Sequence, residues 1–566
     1  MPEQTSPESA PSRIAGFWSR PAAQLGVILV VAASLRLYRL EEAPPGIYCD
    51  EVALAANARS IGRTGTDLSG VTLPLYSEER SYEFWGARHI VYQPVYLYAS
   101  IPFALALDPS IFAARLPSVV FALLAIAGTW RLVRKLFDLR TAALAAGLLA
   151  LSPWHLQFSR IGFEAISLPA LTVWAVWCLW EGLERPRYLF GGAVLAGLAT
   201  YAYPVAKVFV PLLLAVFVAA NFAALRRIGR PALGAALALA VVVGPNLYLV
   251  ATDTQQERVH DRMILSGYLE NERAVAFLKA RDAGGWAGTV IRHRPLLVPF
   301  VFAYNYASYF LPDFLFLNGD PNPRHNSTAG GACPFYYAPL LIAALATLIR
   351  DRRDPRARFL GGWLLAYPVA ASLTLENPHA IRAIPALPLL EILCALGLLA
   401  LKSWSQPAPG SPRRWLEPVA SVGGLIVLVA FPFELVGYAE KYYGPTMEST
   451  APEWQHGLAE AAARLKREQG PDAWVRVSPA LHNGYLYFVY FADLDPRDLR
   501  RGAGVNEQLA PFRIRVEPPT SGSADPRDLW LLTDAEWKAS RRLEKVWDIP
   551  YPDGTPHLVA ARRSAP

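Results

Sequence analysis

Long apolar runs separated by short basic loops constrain this chain more than any other feature. Leu25 to Leu35, Val119 to Trp130, Ala142 to Leu151 and Ala232 to Gly244 contain no charged side chain. A helix needs ~20 mostly apolar residues to cross the hydrocarbon core of a bilayer, and the segments around these runs reach that length. A chain folded in water devotes about a quarter of its residues to charge; here the share is 18% of 566 residues. Trp and Tyr flank many of the runs, where an aromatic belt would lie at the membrane surface. A polytopic membrane protein is expected.

The positions of the cations give a threading. The net charge is +7, and most of the excess sits in short loops, as the positive-inside rule requires. Arg13 and Arg20 precede the first run, which ends in Arg36-Leu37-Tyr38-Arg39 without a small-residue cleavage site and so reads as a retained span. Later clusters are Arg131/Arg134/Lys135/Arg140, Arg185/Arg187, Arg226/Arg227/Arg230, Arg350/Arg352/Arg353/Arg356/Arg358 and Lys402/Arg413/Arg414. With all of them in the cytoplasm, spans fall at roughly 22–39, 111–133, 141–158, 166–183, 188–204, 207–225, 231–250, 334–350, 359–375, 384–401 and 415–437. The N-terminus is then cytoplasmic and the C-terminus outside. The apolar stretch 94–107 is too short to cross and reads as re-entrant or interfacial.

The expected fold class is mainly α, with about eleven spans in a membrane module over 1–437 and a small extracytoplasmic α/β domain over 438–566. Outer loops cover 41–93, 152–165 and 251–333. In the tail, Glu453 to Arg467 and Thr533 to Arg541 read as helices; Trp474 to Val477, Tyr485 to Phe491, Leu529 to Leu532 and Leu558 to Ala561 read as strands. No nucleic-acid motif or basic stripe interleaved with aromatics is present, so no nucleic-acid partner is expected. The four cysteines have no metal-ligand spacing. Cys49 and Cys333 both fall outside, where a disulfide is permitted; two unrelated thiols is the simpler reading.

Candidate chemistry gathers on the outer face. Pro44-Pro45-Gly46-Ile47-Tyr48-Cys49-Asp50-Glu51 follows the first span, and Val52 to Ile61 has helical character ending at Gly62. In one reading Asp50 caps that helix and Glu51 complements its dipole. In the other, Asp50 is a general base, since an acceptor hydroxyl is a poor nucleophile until its proton has somewhere to go. Arg160 and Glu164 lie four apart at the end of a span and would share a face if helical. His379 and Arg382 enter another span, where Arg382 either snorkels to headgroups or offers its planar fork to phosphate. Arg324 and His325 form a further cation pair near Asp320 in the long outer loop.

An acidic pair after the first span, followed by an Arg-to-acid loop, resembles the GT-C superfamily of integral membrane glycosyltransferases. The nearer likeness is to glycosyltransferase family 39-like bacterial proteins, related to protein O-mannosyltransferases and the lipid A aminoarabinose transferase. It covers most of residues 20–440 and not the tail; Glu164 stands where relatives often carry Asp. The resemblance implies a polyprenyl-phosphate sugar donor, inversion, an active site facing the periplasm of a bacterial inner membrane, and Asp50 as base. Catalytic carboxylates are then sought at Asp50, Glu51 and Glu164, and donor-phosphate contacts at Arg160, His379, Arg382, Arg324 and His325. The acceptor, whether lipid, glycan or protein, stays open, as does a divalent cation. A transporter, or a membrane-anchored scaffold or sensor working through its C-terminal domain, is the rival reading. The first would favour paired repeats and charges at mid-membrane, whereas the charges here sit at span ends.

Overall fold

The computed structural model describes residues 20–83, 86–252, 264, 294–326, 330–408, 414–499, 505–519, 525–540 and 542–563. Each expected span contains a helix: α1 Pro21–Leu37, α4 Ile111–Leu136, α5 Leu139–Leu151, α7 Ser167–Gly182, α8 Arg187–Ala199, α9 Ala206–Ile228, α10 Arg230–Ala251, α12 Tyr337–Arg350, α13 Pro355–Ser372, α14 Leu389–Ser405 and α15 Glu417–Tyr443. Between them lie α2 Cys49–Thr64, the hairpin of β1 Ser77–Glu83 and β2 Gly86–Tyr92, α3 Pro94–Ala106, α6 Pro153–Ser159 and α11 Arg294–Ser308. Among the described residues, six helices are long and apolar enough to cross a membrane. On α10 and α15, side chains such as Leu233, Val241, Leu428 and Phe433 are two-thirds or more exposed. A continuous apolar surface of that kind requires a lipid environment or a partner.

The helix α3 has 13 residues, about 20 Å at ~1.5 Å per residue, short of the ~30 Å hydrocarbon core. It packs on α2 and α4. The helix α11 falls within 251–333, where the sequence suggested only a loop. Its Pro295, Pro299 and tyrosines blur the apolar signal. Asn305 fastens it to α13 by donating to the Ser372 carbonyl at 3.2 Å.

Charged groups separate to two ends of the bundle. At one end, Lys135 lies 3.2 Å from Glu181 and 2.7 Å from Glu184. There Arg356 also donates to the Leu136 carbonyl and Arg358 to that of Ala220. These are the loops that charge alone assigned to one side. The candidate site residues collect at the opposite ends of the same helices.

After α15 the tail forms α16 Leu458–Glu468, α17 Gly484–Phe491, α18 Asp534–Ala539 and a five-stranded sheet. The strands are β3 Val475–Val477, β4 Ile514–Val516, β5 Leu529–Thr533, β6 Leu543–Ile549 and β7 Leu558–Arg563, in the order β4-β3-β5-β7-β6. The β3 pairings are parallel and the β7 pairings antiparallel. Thr533 starts α18 with a capping box to Glu536. The expected strand at Tyr485 to Phe491 is a helix instead. Its aromatic run has strand propensity, but the segment is buried almost all round, between α2 and α16, and tertiary packing overrides propensity there. One apolar core joins the tail to the membrane module.

Candidate active site

The loop between α1 and α2 forms a pedestal held by buried arginines. Arg160 donates to the carbonyls of Leu35, Arg36, Arg39 and Ala43 at 2.7–3.1 Å, with Tyr442 and Tyr443 against its guanidinium. Arg115 donates to the carbonyls of Leu40, Pro44 and Gly46. A buried carbonyl left without a donor is costly, and the five donors of one guanidinium satisfy several at once. Gly46 adopts φ 116°, and a Cβ there would meet the Trp454 carbonyl at 2.5 Å. The turn thus needs glycine both for its dihedral and for the close approach of the tail.

The pedestal ends in the acidic pair, whose members part company. Glu51 is 1% exposed. Its carboxylate takes Arg115 Nε at 3.0 Å, Gly162 N at 2.6 Å and Tyr48 N at 3.0 Å. Tyr48, not Asp50, is the N-cap residue, and Asp50 lies one turn-step into the helix. The helix also runs past Gly62, which packs against Leu105, and stops at Gly65 with φ 74°. The first N–H of α2, that of Cys49, donates to Gln455 Oε1 from the tail at 2.8 Å, and Gln455 is held in turn by the Tyr487 hydroxyl.

Asp50 is half-buried. Next to it, the Tyr48 ring lies 4.1 Å from the Arg324 guanidinium and 6.3 Å from the Phe163 ring. Burial, with Cys49 and Asp50 adding to it, pushes the Tyr48 phenol up, while Arg324 pulls the other way. Arg324 also pairs with Glu453 at 3.3 Å, and its carbonyl accepts from Gln157. Glu164 follows Phe163 and accepts from Gln93 N at 2.7 Å. Residues 160–164 are not one helix: α6 ends at Ser159 and a short 3-10 turn begins at Glu164. Arg160 and Glu164 therefore do not share a helix face, and Arg160 turns to the pedestal carbonyls. Lys207, at the start of α9, lies 5.1 Å from the Tyr76 ring and within electrostatic range of Glu164. Sequence reasoning passed over this lysine; the signal was a cation at the end of a span that the expected threading puts outside, against the positive-inside pattern.

A second polar group adjoins Arg324. Asp320 Oδ2 accepts from His325 Nδ1 at 2.9 Å and Ala380 N at 2.6 Å, and lies 3.6 Å from His379 Nδ1. The two imidazole centroids are 4.6 Å apart. Arg382 pairs with Glu376 at 2.5 Å and donates to Thr374 Oγ1. Polar contacts thus link Arg382 through Glu376, His379 and Asp320 to His325, whose chain neighbour Arg324 lies over the Tyr48 ring. The four cysteines are buried and none is in a disulfide. Cys333 lies near Cys394 and Glu391, whereas Cys49 neighbours Asn483, so the suggested approach of Cys49 and Cys333 is not found.

Buried arginines over a loop, with a half-buried carboxylate at its end, stand on a helical bundle that recurs among solved proteins. Residues 93–248 match the family described as Dolichyl-phosphate-mannose-protein mannosyltransferase. The fold is that of ArnT from Cupriavidus metallidurans, solved in the apo state: 15% identity, 97% of this chain and 98% of that one covered, TM-score 0.53. The same protein bound to undecaprenyl phosphate matches equally, at 15% identity over 96% and 98% of the chains, TM-score 0.53. The Archaeoglobus fulgidus oligosaccharyltransferase tethered to an acceptor peptide matches at 14% identity over 98% of this chain and 75% of that one, TM-score 0.52. A search of the curated proteins returned no match. The family match spans residues 93–248, and the solved structures share the fold of nearly the whole chain.

Proposed function

We propose that this protein transfers a sugar from a polyprenyl-phosphate carrier to an acceptor on the periplasmic face of a bacterial inner membrane, with inversion and with Asp50 as general base. The observation that carries this reading is the division of labour in the acidic pair. Glu51 is committed to Arg115, Gly162 and Tyr48, which leaves Asp50 half-buried at the helix start beside Tyr48 and Arg324. In the reaction, Asp50 takes the acceptor's proton, the acceptor oxygen attacks the anomeric carbon, and the carbon–oxygen bond to phosphate breaks with both electrons staying on the phosphate.

That leaving group carries its own negative charge, so the site must supply cations rather than a proton. Arg324, Arg382 and Lys207 are proposed for this role. Arg160 is left out, because four carbonyls occupy its guanidinium. Glu51 acts by positioning. Glu164 is proposed to orient Lys207 and the acceptor. The complex of the Cupriavidus protein with undecaprenyl phosphate supports a carrier of that class. The domain boundary near 438 and the outside location of the tail belong to the same proposal.

The direct experiment gives purified protein a polyprenyl-phosphate sugar labelled in the sugar, with membrane lipids, glycans and periplasmic proteins as acceptors. Transfer lost in Asp50→Asn is expected. Release of label by no acceptor class, with the carrier bound, would overturn the reading. Arg382→Lys separates a forked phosphate contact from snorkelling: full retention of donor affinity and turnover by Lys removes the forked contact.

A further inference from the structure

We infer that Asp320, His325 and His379 form a site for a zinc-type divalent cation, which ties the outer loop before α12 to the turn before α14. Among the described residues these three form a group with metal-ligating atoms all within 4.8 Å of one another. Their side chains are 2%, 7% and 11% exposed. They come from two segments far apart in sequence.

The spacing suits a small cation. Zinc binds imidazole nitrogen and carboxylate oxygen at ~2.0–2.2 Å in a tetrahedron, which places neighbouring donor atoms roughly 3.3–3.5 Å apart. The Asp320 Oδ2 to imidazole nitrogen distances, 2.9 Å to His325 and 3.6 Å to His379, lie on either side of that range. Two imidazoles and one carboxylate favour zinc or a similar transition ion over calcium or magnesium, which prefer oxygen alone. A cavity of about 30 Å³ borders Asp320, His325, Asn326, Gln157 and Ala380. A water needs ~10–15 Å³ of such space, so the cavity has room for a fourth ligand.

Outer contacts already fix the donors. Ala380 N and Asn322 N hold the two oxygens of Asp320, and His379 N donates to the Tyr309 hydroxyl. Groups of this kind orient metal ligands and tune their affinity. A cation here would sit one residue from Arg324 and would stiffen the loop that carries that arginine to Tyr48. The site is thus a positioning device, and its occupancy is independent of glycosyl transfer.

The test uses full-length protein in detergent, stripped by chelator and titrated with Co²⁺ alone, then with Zn²⁺. Four-coordinate cobalt absorbs in the visible far more strongly than hydrated cobalt. One equivalent of bound cobalt, displaced by zinc, is expected. His325→Ala and His379→Ala should each weaken binding tenfold or more. No stoichiometric cobalt band in the wild-type protein overturns the site, as does a band unchanged in both variants and in Asp320→Asn. The wild-type titration decides even where a variant fails to accumulate. Cobalt binding by a protein that transfers no sugar would retain this site and remove the proposed function; the converse result would do the opposite.

Discussion

Asp50 and Glu51 are neighbours in the chain and meet opposite surroundings. Glu51 pairs with Arg115, both side chains fully buried, and stripping one partner from a pair like this leaves an uncompensated charge. Glu51→Gln should therefore act first on stability, lowering the detergent melting temperature before any kinetic effect is read. Asp50→Asn should do the reverse: expression, melting temperature and carrier binding stay close to the parent, while turnover falls ~10²–10⁴-fold, as expected for loss of a general base. Near-normal turnover by the Asn variant would remove Asp50 from the chemistry. Arg160 tests the pedestal. Its Lys variant keeps the charge but cannot reach four carbonyls, and each buried acceptor left unpaired costs about 1–3 kcal/mol. Loss of folded protein in both Arg160→Lys and Arg160→Ala is expected. A well-folded Arg160→Lys protein with weakened carrier binding would instead return this arginine to the donor site. Sequence could not separate these roles, because the partners of Glu51 and Arg160 lie far away along the chain.

At the scale of elements, α2 starts with help from outside its own segment. Its Cys49 N–H is satisfied by Gln455, and farther along Arg59 and Arg63 pair with Asp493 of the tail. The tail thus fixes the helix that carries Asp50. Burial alone would raise the Asp493 carboxyl, but hydrogen bonds and charge from Arg59 and Arg63 outweigh it and hold the group below its usual range. The sign follows from that depression. The pairs stabilise the folded state above the ordinary carboxylate range, near pH ~4, and this contribution is lost as pH falls through the lower folded value. Asp493 is 43% exposed, so screening keeps the effect within about 1 kcal/mol. Asp493→Asn should lower the melting temperature slightly at pH 7 and flatten its decline toward pH 3; an unaltered acid profile would show that the pairs carry no weight. The helices of the expected spans were legible from their apolar runs, and among the described residues six of them are also long enough to cross a membrane. The helices α11 and α17 were not legible: prolines and tyrosines blur one, and an aromatic run imitates a strand in the other. Lys207 escaped notice for a related reason, since its neighbours come from β1's approach and the Glu164 turn rather than from its own helix.

For the whole molecule, the side of the membrane occupied by the tail is also the side occupied by the site. Gln455 and Tyr487 touch the backbone at Cys49 and Ile47 directly, so no threading can put Asp50 and residues 455–487 in different compartments. The basic loops gather at the other end of the bundle, around Lys135, Arg356 and Arg358. The charge bias counts most in short loops close to span ends, which is where these residues stand. We therefore expect the N-terminus in the cytoplasm and the tail outside. Alkaline phosphatase fused after Arg563 should be active, because it matures only in the oxidising outer compartment. Green fluorescent protein at the same place should stay dark, and fused after Arg227 it should fluoresce. A fluorescent, phosphatase-inactive C-terminal fusion would carry Asp50 and Arg324 into the cytoplasm with the tail. The proposed periplasmic reaction would then fail as a whole, and a donor presented on the inner leaflet would have to be sought for the same carboxylate and cations.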